Sequence, residues 1–146
     1  MNHEDSIINL AMTILESGLS KRHIHSPARC CYTIFAPAPP EPGKRIFGAL
    51  YLDNLNQLIS FEIIHSGSIN SVQISPREVA RLALKLNAQA VIFAHNHPSG
   101  SPEPSRADIN ITARLKTALE LFEIRTLDHF IVAGNDVISM AERGHI

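Results

Sequence analysis

Two imidazoles, a hydroxyl and a carboxylate crowd into the stretch His95-Asn-His-Pro-Ser-Gly-Ser-Pro-Glu-Pro-Ser-Arg-Ala-Asp108, directly after the apolar run Ala90–Ala94. In an extended segment alternate side chains share a side, so His95 and His97 can face one centre while Asn96 points away. Pro98 supports this geometry, because a residue before proline is pushed out of the helical region and His97 is kept extended. Asp108 stands three and seven residues ahead of Ile111 and Leu115, on or beside the inward stripe of a helix, where an uncompensated carboxylate is costly. A divalent cation held by His95, His97 and Asp108 compensates it. Three protein ligands leave the fourth tetrahedral position to water, as a catalytic zinc site requires.

Ser105 and Asp108 also have a purely structural explanation. Ser-x-x-Asp ahead of a helical run is a capping pattern that needs no chemistry, and capping and ligation can coexist. Glu62, inside Ile59-Ser-Phe-Glu-Ile-Ile64, is the candidate general acid/base that would take a proton from the attacking water and deliver it to a leaving amine. Its alternative is a charged residue on an exposed edge strand. Glu78 is accounted for by capping of the helix that follows Ser75. His23 and His25 repeat the spacing of His95 and His97, but no strand signal surrounds them and they are read as loop residues.

The elements that must position these groups are legible in the pattern. Ser6 to Ser17 has apolar residues at helical spacing, with Gly18 as a stop. Ala36 to Gly43 is proline-rich and reads as a linker, so residues 1–44 form an N-terminal helix and linker, and residues 45–146 form the organised domain. Ile46–Leu52 and Leu58–Ile64 predict a β-hairpin around Asp53-Asn-Leu-Asn56. Ser75-Pro-Arg-Glu78 opens a helix with Val79, Leu82, Ala83 and Leu86 inward and Arg77, Arg81 and Lys85 solvated. Gln89–Ala94 predicts a central strand, and Ser105–Phe122 a helix burying Ile111, Leu115, Ala118, Leu119 and Phe122. His129–Ala133 and Val137–Ser139 complete the sheet around Gly134-Asn-Asp136. Strands alternating with helices imply an α/β sheet covered on both faces.

Composition narrows the function classes. A chain of 146 residues, 45% hydrophobic and 18% charged, suits one folded domain and not a disordered segment. Its net charge of −1 lacks the basic excess of a protein built to neutralise phosphates, so a nucleic-acid partner is not expected. Cys30 and Cys31 are adjacent and cannot staple a distant loop, which fits a reducing compartment. Glu4 and Asp5 stand where a signal peptide would be basic, and no apolar stretch is long enough for a bilayer. The expectation is a soluble cytoplasmic protein without a membrane partner.

His-x-His, seven residues, Ser, two residues and Asp, with an upstream Glu, resembles the JAMM motif of MPN-domain metalloproteases. Pro76-Arg-Glu-Val79, His95-Asn-His-Pro-Ser-Gly100, Pro104-Ser105, Asp108 and Leu127-Asp-His129 together resemble the RadC family from about Arg45 to Gly144. The resemblance implies a single α/β domain, a mixed sheet flanked by helices in a three-layer, cytidine-deaminase-like arrangement. It also implies zinc on His95, His97 and Asp108, with Glu62 moving protons and Ser105 donating to the oxyanion during cleavage of an amide or isopeptide bond in a protein or peptide substrate. His129 belongs to the family pattern and is read as a supporting group, not a ligand. Longer RadC proteins carry an N-terminal helix-hairpin-helix region; residues 1–44 show one helix and a proline-rich stretch, as in short, domain-only members. Two competing functions follow: metal-dependent DNA processing, and a non-catalytic scaffold in which the metal only ties Ser105's helix to the strand at His95.

Overall fold

A computed structural model of the chain describes residues 44–68, 74–97, 99–133 and 136–146. The helix expected at Ser6–Ser17, the proline-rich segment, His23, His25, both cysteines, Pro98 and the turn residues Gly134 and Asn135 lie outside them.

Hydrophobic alternation and turn chemistry give the first hairpin, β1 (Lys44–Leu52) and β2 (Leu58–Ser68). Asp53 closes its turn by accepting from the backbone N–H groups of Leu55 and Gln57. β2 runs four residues past the expected Ile64. The pairing shifts by one residue at Phe47/Gly48, a bulge that leaves Ile64 without a partner on β1 and sets His65 opposite Phe47. Helix α1 (Pro76–Lys85) starts as expected, with the Ser75 side chain accepting from the Glu78 backbone N–H and Pro76 in the first turn. Glu78's own carboxylate turns instead to Arg81. Arg77, Arg81 and Lys85 are exposed, as the solvated-face reading expects.

The central strand β3 (Ala90–Asn96) is buried along its whole length and continues two residues past Ala94, delivering His95 while still in the sheet. Helix α2 (Arg106–Glu120) follows, then β4 (Arg125–Ala133) and β5 (Asp136–Ser139). The strand order is β2-β1-β3-β4-β5, with β3 and β4 parallel and every other pair antiparallel. This is the α/β class expected from the alternation of elements and the mixed sheet that the resemblance implies; the helices expected over both faces lie over one among the described residues. Both described helices pack on one face, where Val79, Ala83, Leu115 and Leu119 meet Ala49, Tyr51, Val91 and Phe93. A second apolar cluster, including Ile46, Leu50, Ile92, Ala94, Phe130 and Val132, fills the opposite face.

Three expectations need correction. Phe122 is 48% exposed, because α2 ends at Glu120 and the following turn, with Glu123 at φ 60°, gives the core position to Ile124. Ala118 is half-buried at the flank of the stripe, whose fully buried places are taken by Asp108, Thr112, Leu115 and Leu119. β4 begins four residues before His129, since Ala90 and Val91 of β3 supply ladder partners for Arg125 and Thr126 despite their polar side chains.

Asp128 fastens the chain end to this frame. Its Oδ1 accepts from the backbone N–H groups of His129 and Ala141, and its Oδ2 accepts from the Ser139 hydroxyl. Asp128→Ala strands three donors and is expected to cost about 2–4 kcal/mol, less than three times the ~1.5–3 kcal/mol of a hydrogen bond to a charged group because water reaches the freed donors at this half-buried position. Urea unfolding followed by circular dichroism measures it as a lower midpoint at unchanged slope.

Candidate metal centre

The site forms where β3 ends and α2 begins, at the carboxyl end of a strand that is flanked by an antiparallel and a parallel neighbour. Open α/β sheets place their ligands at such ends. His95 is in register with Phe47 of β1 and Ile131 of β4, so its ring is held from both sides. The ring stacks on Phe47 at a centroid separation of 5.9 Å and an interplanar angle of 9°. Asn96 turns to the opposite face, and its Oδ1 accepts from the Ile46 backbone N–H at 2.6 Å, extending the β1–β3 ladder by one rung. The backbone N–H of His97 donates to Val132 O, which holds His97 in line beyond the last strand residue.

Asp108 arrives from the first turn of α2. Ser105 and Asp108 form the reciprocal capping box: the Ser105 hydroxyl accepts from the Asp108 N–H at 3.1 Å, and Asp108 Oδ2 accepts from the Ser105 N–H at 2.9 Å. Capping therefore explains both residues locally. It does not explain why the carboxylate is only 4% exposed and faces two histidines. His97 Nε2 lies 3.0 Å from Asp108 Oδ2, His95 Nε2 lies 3.3 Å from Asp108 Oδ1, and the two Nε2 atoms are 2.9 Å apart. One donor atom from each of His95, His97 and Asp108 falls within 4.8 Å of the others, and all three residues are buried.

The proton positions follow from partners that can only accept. His97 Nδ1 lies 2.7 Å from the Ser101 carbonyl, so Nδ1 carries the hydrogen and a neutral ring leaves Nε2 bare. Gly100, at φ 80°, makes the turn that brings this carbonyl back over the ring, a conformation glycine adopts without strain. Thr112 Oγ1 donates to Asp108 O at 2.7 Å, and so accepts from His129 Nδ1 at 2.6 Å. His129 then presents a bare Nε2, which accepts from His95 Nδ1 at 2.7 Å. The relay ends with His95 Nε2 also bare. With both rings neutral, two nitrogen lone pairs and a carboxylate face one another.

Burial pushes the His95 and His129 pKa values down, well below the ordinary histidine value in the case of His129. Neither can relieve the conflict by becoming a cation at neutral pH. Burial alone would raise Asp108, but the Ser105 N–H, together with His95 and His97 wherever an imidazole carries a proton on Nε2, holds it well below the usual carboxylate range. Arg45 brings its Nη1 to 3.9 Å from Asp108 Oδ1, beyond hydrogen-bonding distance. The donor set fits a small divalent cation: two imidazoles whose remote nitrogens are fixed by hydrogen bonds, and one carboxylate.

Glu62 is not part of this group. It is half-buried on the edge strand β2, opposite Ala49 and therefore on the same sheet face as His95, and its Oε1 accepts from the Ser60 hydroxyl at 2.8 Å. Ser60 pairs with Tyr51, farther from His95 than Ala49 is, so the carboxylate leans away from the trio. Sequence reasoning missed Thr112, which reads as a neutral helix position, and Ser101, which acts through its carbonyl. A buried-stripe position held by a polar residue, one turn after Asp108, was the available signal for Thr112.

A family model described as "RadC-like JAB domain" matches residues 26–145. The chain belongs to the RadC-like JAB domain family. Among relatives of this family, a UPF0758 protein of Cellvibrio japonicus is 44% identical over 135 residues, covering 86% of this chain and 60% of its own. One from Chromohalobacter salexigens is 57% identical over 98 residues, covering 67% and 44%. Another, from Vibrio cholerae, is 56% identical over 99 residues, covering 68% and 62%. The chain thus spans about half the length of the curated relatives it matches. A His-His-Asp group able to hold a metal ion agrees with membership of this RadC-like family. Among the described residues no helix is long and apolar enough to cross a membrane.

Two outcomes follow. Thr112→Val breaks the relay without touching a ligand and is expected to weaken zinc binding by 10- to 100-fold, the usual size of such support, as read by competition with a chromogenic chelator. In metal-free protein His95 and His129 take up protons on unfolding, because their folded pKa values are depressed. Stability is therefore level above about pH 6.5 and falls below it, with a limiting slope of about 2.7 kcal/mol per pH unit for two protons. Urea titrations across pH 5–8 test this, and His129→Gln should roughly halve the slope.

Proposed function

We propose that this domain is a metal-dependent amide hydrolase acting on a peptide or isopeptide bond, with zinc as the resident ion. The observation that carries this reading is the convergence of three bare donor atoms at the end of β3, an arrangement that is electrostatically unfavourable until a cation enters. His95, His97 and Asp108 would hold the ion. A zinc ion so bound supplies Lewis acidity, lowering the pKa of a coordinated water and polarising a carbonyl.

The chain's own residues supply the rest. Glu62 takes the proton of the attacking water and returns it to the leaving amine, which requires its carboxylate to leave Ser60 and turn along the shared sheet face towards His95. Ser105 uses only its oxygen in capping α2, so its hydroxyl hydrogen can donate to the carbonyl oxygen as negative charge develops there. Phe47 and Phe93 wall the histidines, with Phe47 edge-on to His129 at 5.3 Å, and keep the relay dry. The cytoplasm is the proposed compartment, as a reducing setting for the paired cysteines. The RadC relatives' names specify no reaction, and the amide or isopeptide substrate is proposed from the resemblance of the motif to JAMM metalloproteases.

The decisive comparison is wild type against Glu62→Gln, each loaded with zinc, on a library of fluorogenic peptides and isopeptide-linked conjugates. Glu62→Gln is expected to bind one zinc as tightly as wild type and to lose at least 100-fold in kcat, consistent with about 10²–10⁴-fold for general acid–base catalysis. Loaded wild type that cleaves nothing in the library, while chelation lowers its Tm, would favour the scaffold reading. Plasmid cleavage that disappears in His97→Ala would favour DNA processing.

A further inference from the structure

The site face of the sheet carries a second group of polar side chains that the metal ligands do not use. Register partners in an antiparallel pair share a face. Phe47 pairs with His95 on one side and His65 on the other, and Arg45 pairs with Gly67, so Arg45, His65 and Gly67 all belong to the face that holds the metal ligands. The bulge at Phe47/Gly48 makes this possible by setting His65 opposite Phe47. The His65 ring then lies along its own strand over Gly67. A Cβ at Gly67 would come within 2.9 Å of His65 Nε2, so only a glycine leaves the ring this position, across from Arg45.

Both groups are left wanting an acceptor. Arg45 Nε and His65 Nε2 are buried and without a hydrogen-bond partner among the described residues. A guanidinium cannot shed its charge, and a buried donor with nothing to meet is costly. Arg45's side chain is 20% exposed, so part of it meets solvent while its Nε is buried. Among the ion pairs of the described residues its one carboxylate is Asp108, at 3.9 Å. A divalent ion on Asp108 claims that carboxylate and leaves Arg45 with no counter-charge beside a centre that is itself net positive. An anion is then the missing component. The Nε–Nη edge of a guanidinium matches the two oxygens of a planar carboxylate, and His65 alongside adds a third donor in the tautomer that carries its hydrogen on Nε2.

We propose that Arg45 and His65 form a carboxylate-binding subsite beside the metal centre, so that the amide cleaved there is flanked by an acidic group of the substrate. The subsite rests on the register of β1 with β2 and on a metal's claim to Asp108; its link to cleavage rests on the amide-hydrolase reading. The acidic group has two sources, a chain-terminal carboxylate or an acidic side chain, and both present the same chemistry to Arg45.

The experiment is calorimetric titration of the zinc-loaded full chain. N-acetylglycine presents a terminal carboxylate and N-acetylglutamate α-amide a side-chain carboxylate; N-acetylglycinamide and N-acetylglutamine α-amide are their neutral counterparts. One carboxylate is expected to bind at least tenfold more tightly than its counterpart, and which one does so names the source. Arg45→Gln should abolish the preference while keeping one zinc per chain, and His65→Phe should reduce it about threefold. Should Arg45→Gln fail to fold or load zinc, Arg45→Lys keeps the charge without the fork: loss of most of the preference supports the subsite, and full retention overturns it. A preference unchanged in Arg45→Gln, or inorganic phosphate bound as tightly as the carboxylates, also overturns it. Carboxylate binding that depends on Arg45 in a protein that cleaves no amide would sink the hydrolase reading and leave the subsite standing. Hydrolysis indifferent to a neighbouring acid would do the reverse.

Discussion

Mutual repulsion of three electron-rich atoms is the constraint around which this domain is arranged. His95 Nε2, His97 Nε2 and the Asp108 carboxylate lie 2.9–3.3 Å apart in a buried pocket, and each is prevented from turning away. His95 is wedged against Phe47 and tied to His129, His97 is tied to the Ser101 carbonyl, and Asp108 is locked into the cap of α2. A cation among these atoms would make their approach favourable, and hydrophobic burial of the surrounding sheet holds them in place.

The relay through Thr112 and His129 makes the arrangement cooperative. It begins at the backbone carbonyl of Asp108 and ends at the remote nitrogen of His95, so it joins the helix that supplies one ligand to the strand that supplies another. Every link runs in one direction, because the first acceptor is a carbonyl. A displacement of α2 by a few tenths of an ångström would be felt at His95 through three short hydrogen bonds as well as through the metal position. Asp128, next to His129 in sequence, ties the same strand to the chain's last turn.

Much of this was legible in the residues. The alternation at His95 and His97, the serine three residues ahead of Asp108 and the apolar run at Ala90–Ala94 carry their meaning in local pattern, where the periods of strand and helix apply directly. The first hairpin and the start of α1 were legible for the same reason. The end of α2 was not, because Phe122 fits the helical stripe as well as Ile124 fits the core, and only the turn at Glu123 decides between them. Glu62's place on the site face was accessible from strand alternation, but its lean towards Ser60 depends on a side-chain contact that spacing does not encode. The neighbourhood of Arg45 and His65 was hidden most thoroughly. It arises from a one-residue bulge, which moves side chains between faces and leaves no periodic trace.

The three ligands come from a short interval of chain, residues 95–108, and that brevity bears on when the ion can arrive. Closing so small a loop costs little entropy, and the cost grows only as about (3/2)RT ln n. An extended nascent chain could therefore chelate a cation weakly through this interval before the sheet exists. Such early capture would favour the cap of α2 against the end of β3. It would also narrow the difference in affinity between folded and unfolded chains, making the ion a guide to assembly as much as a resident of the finished domain.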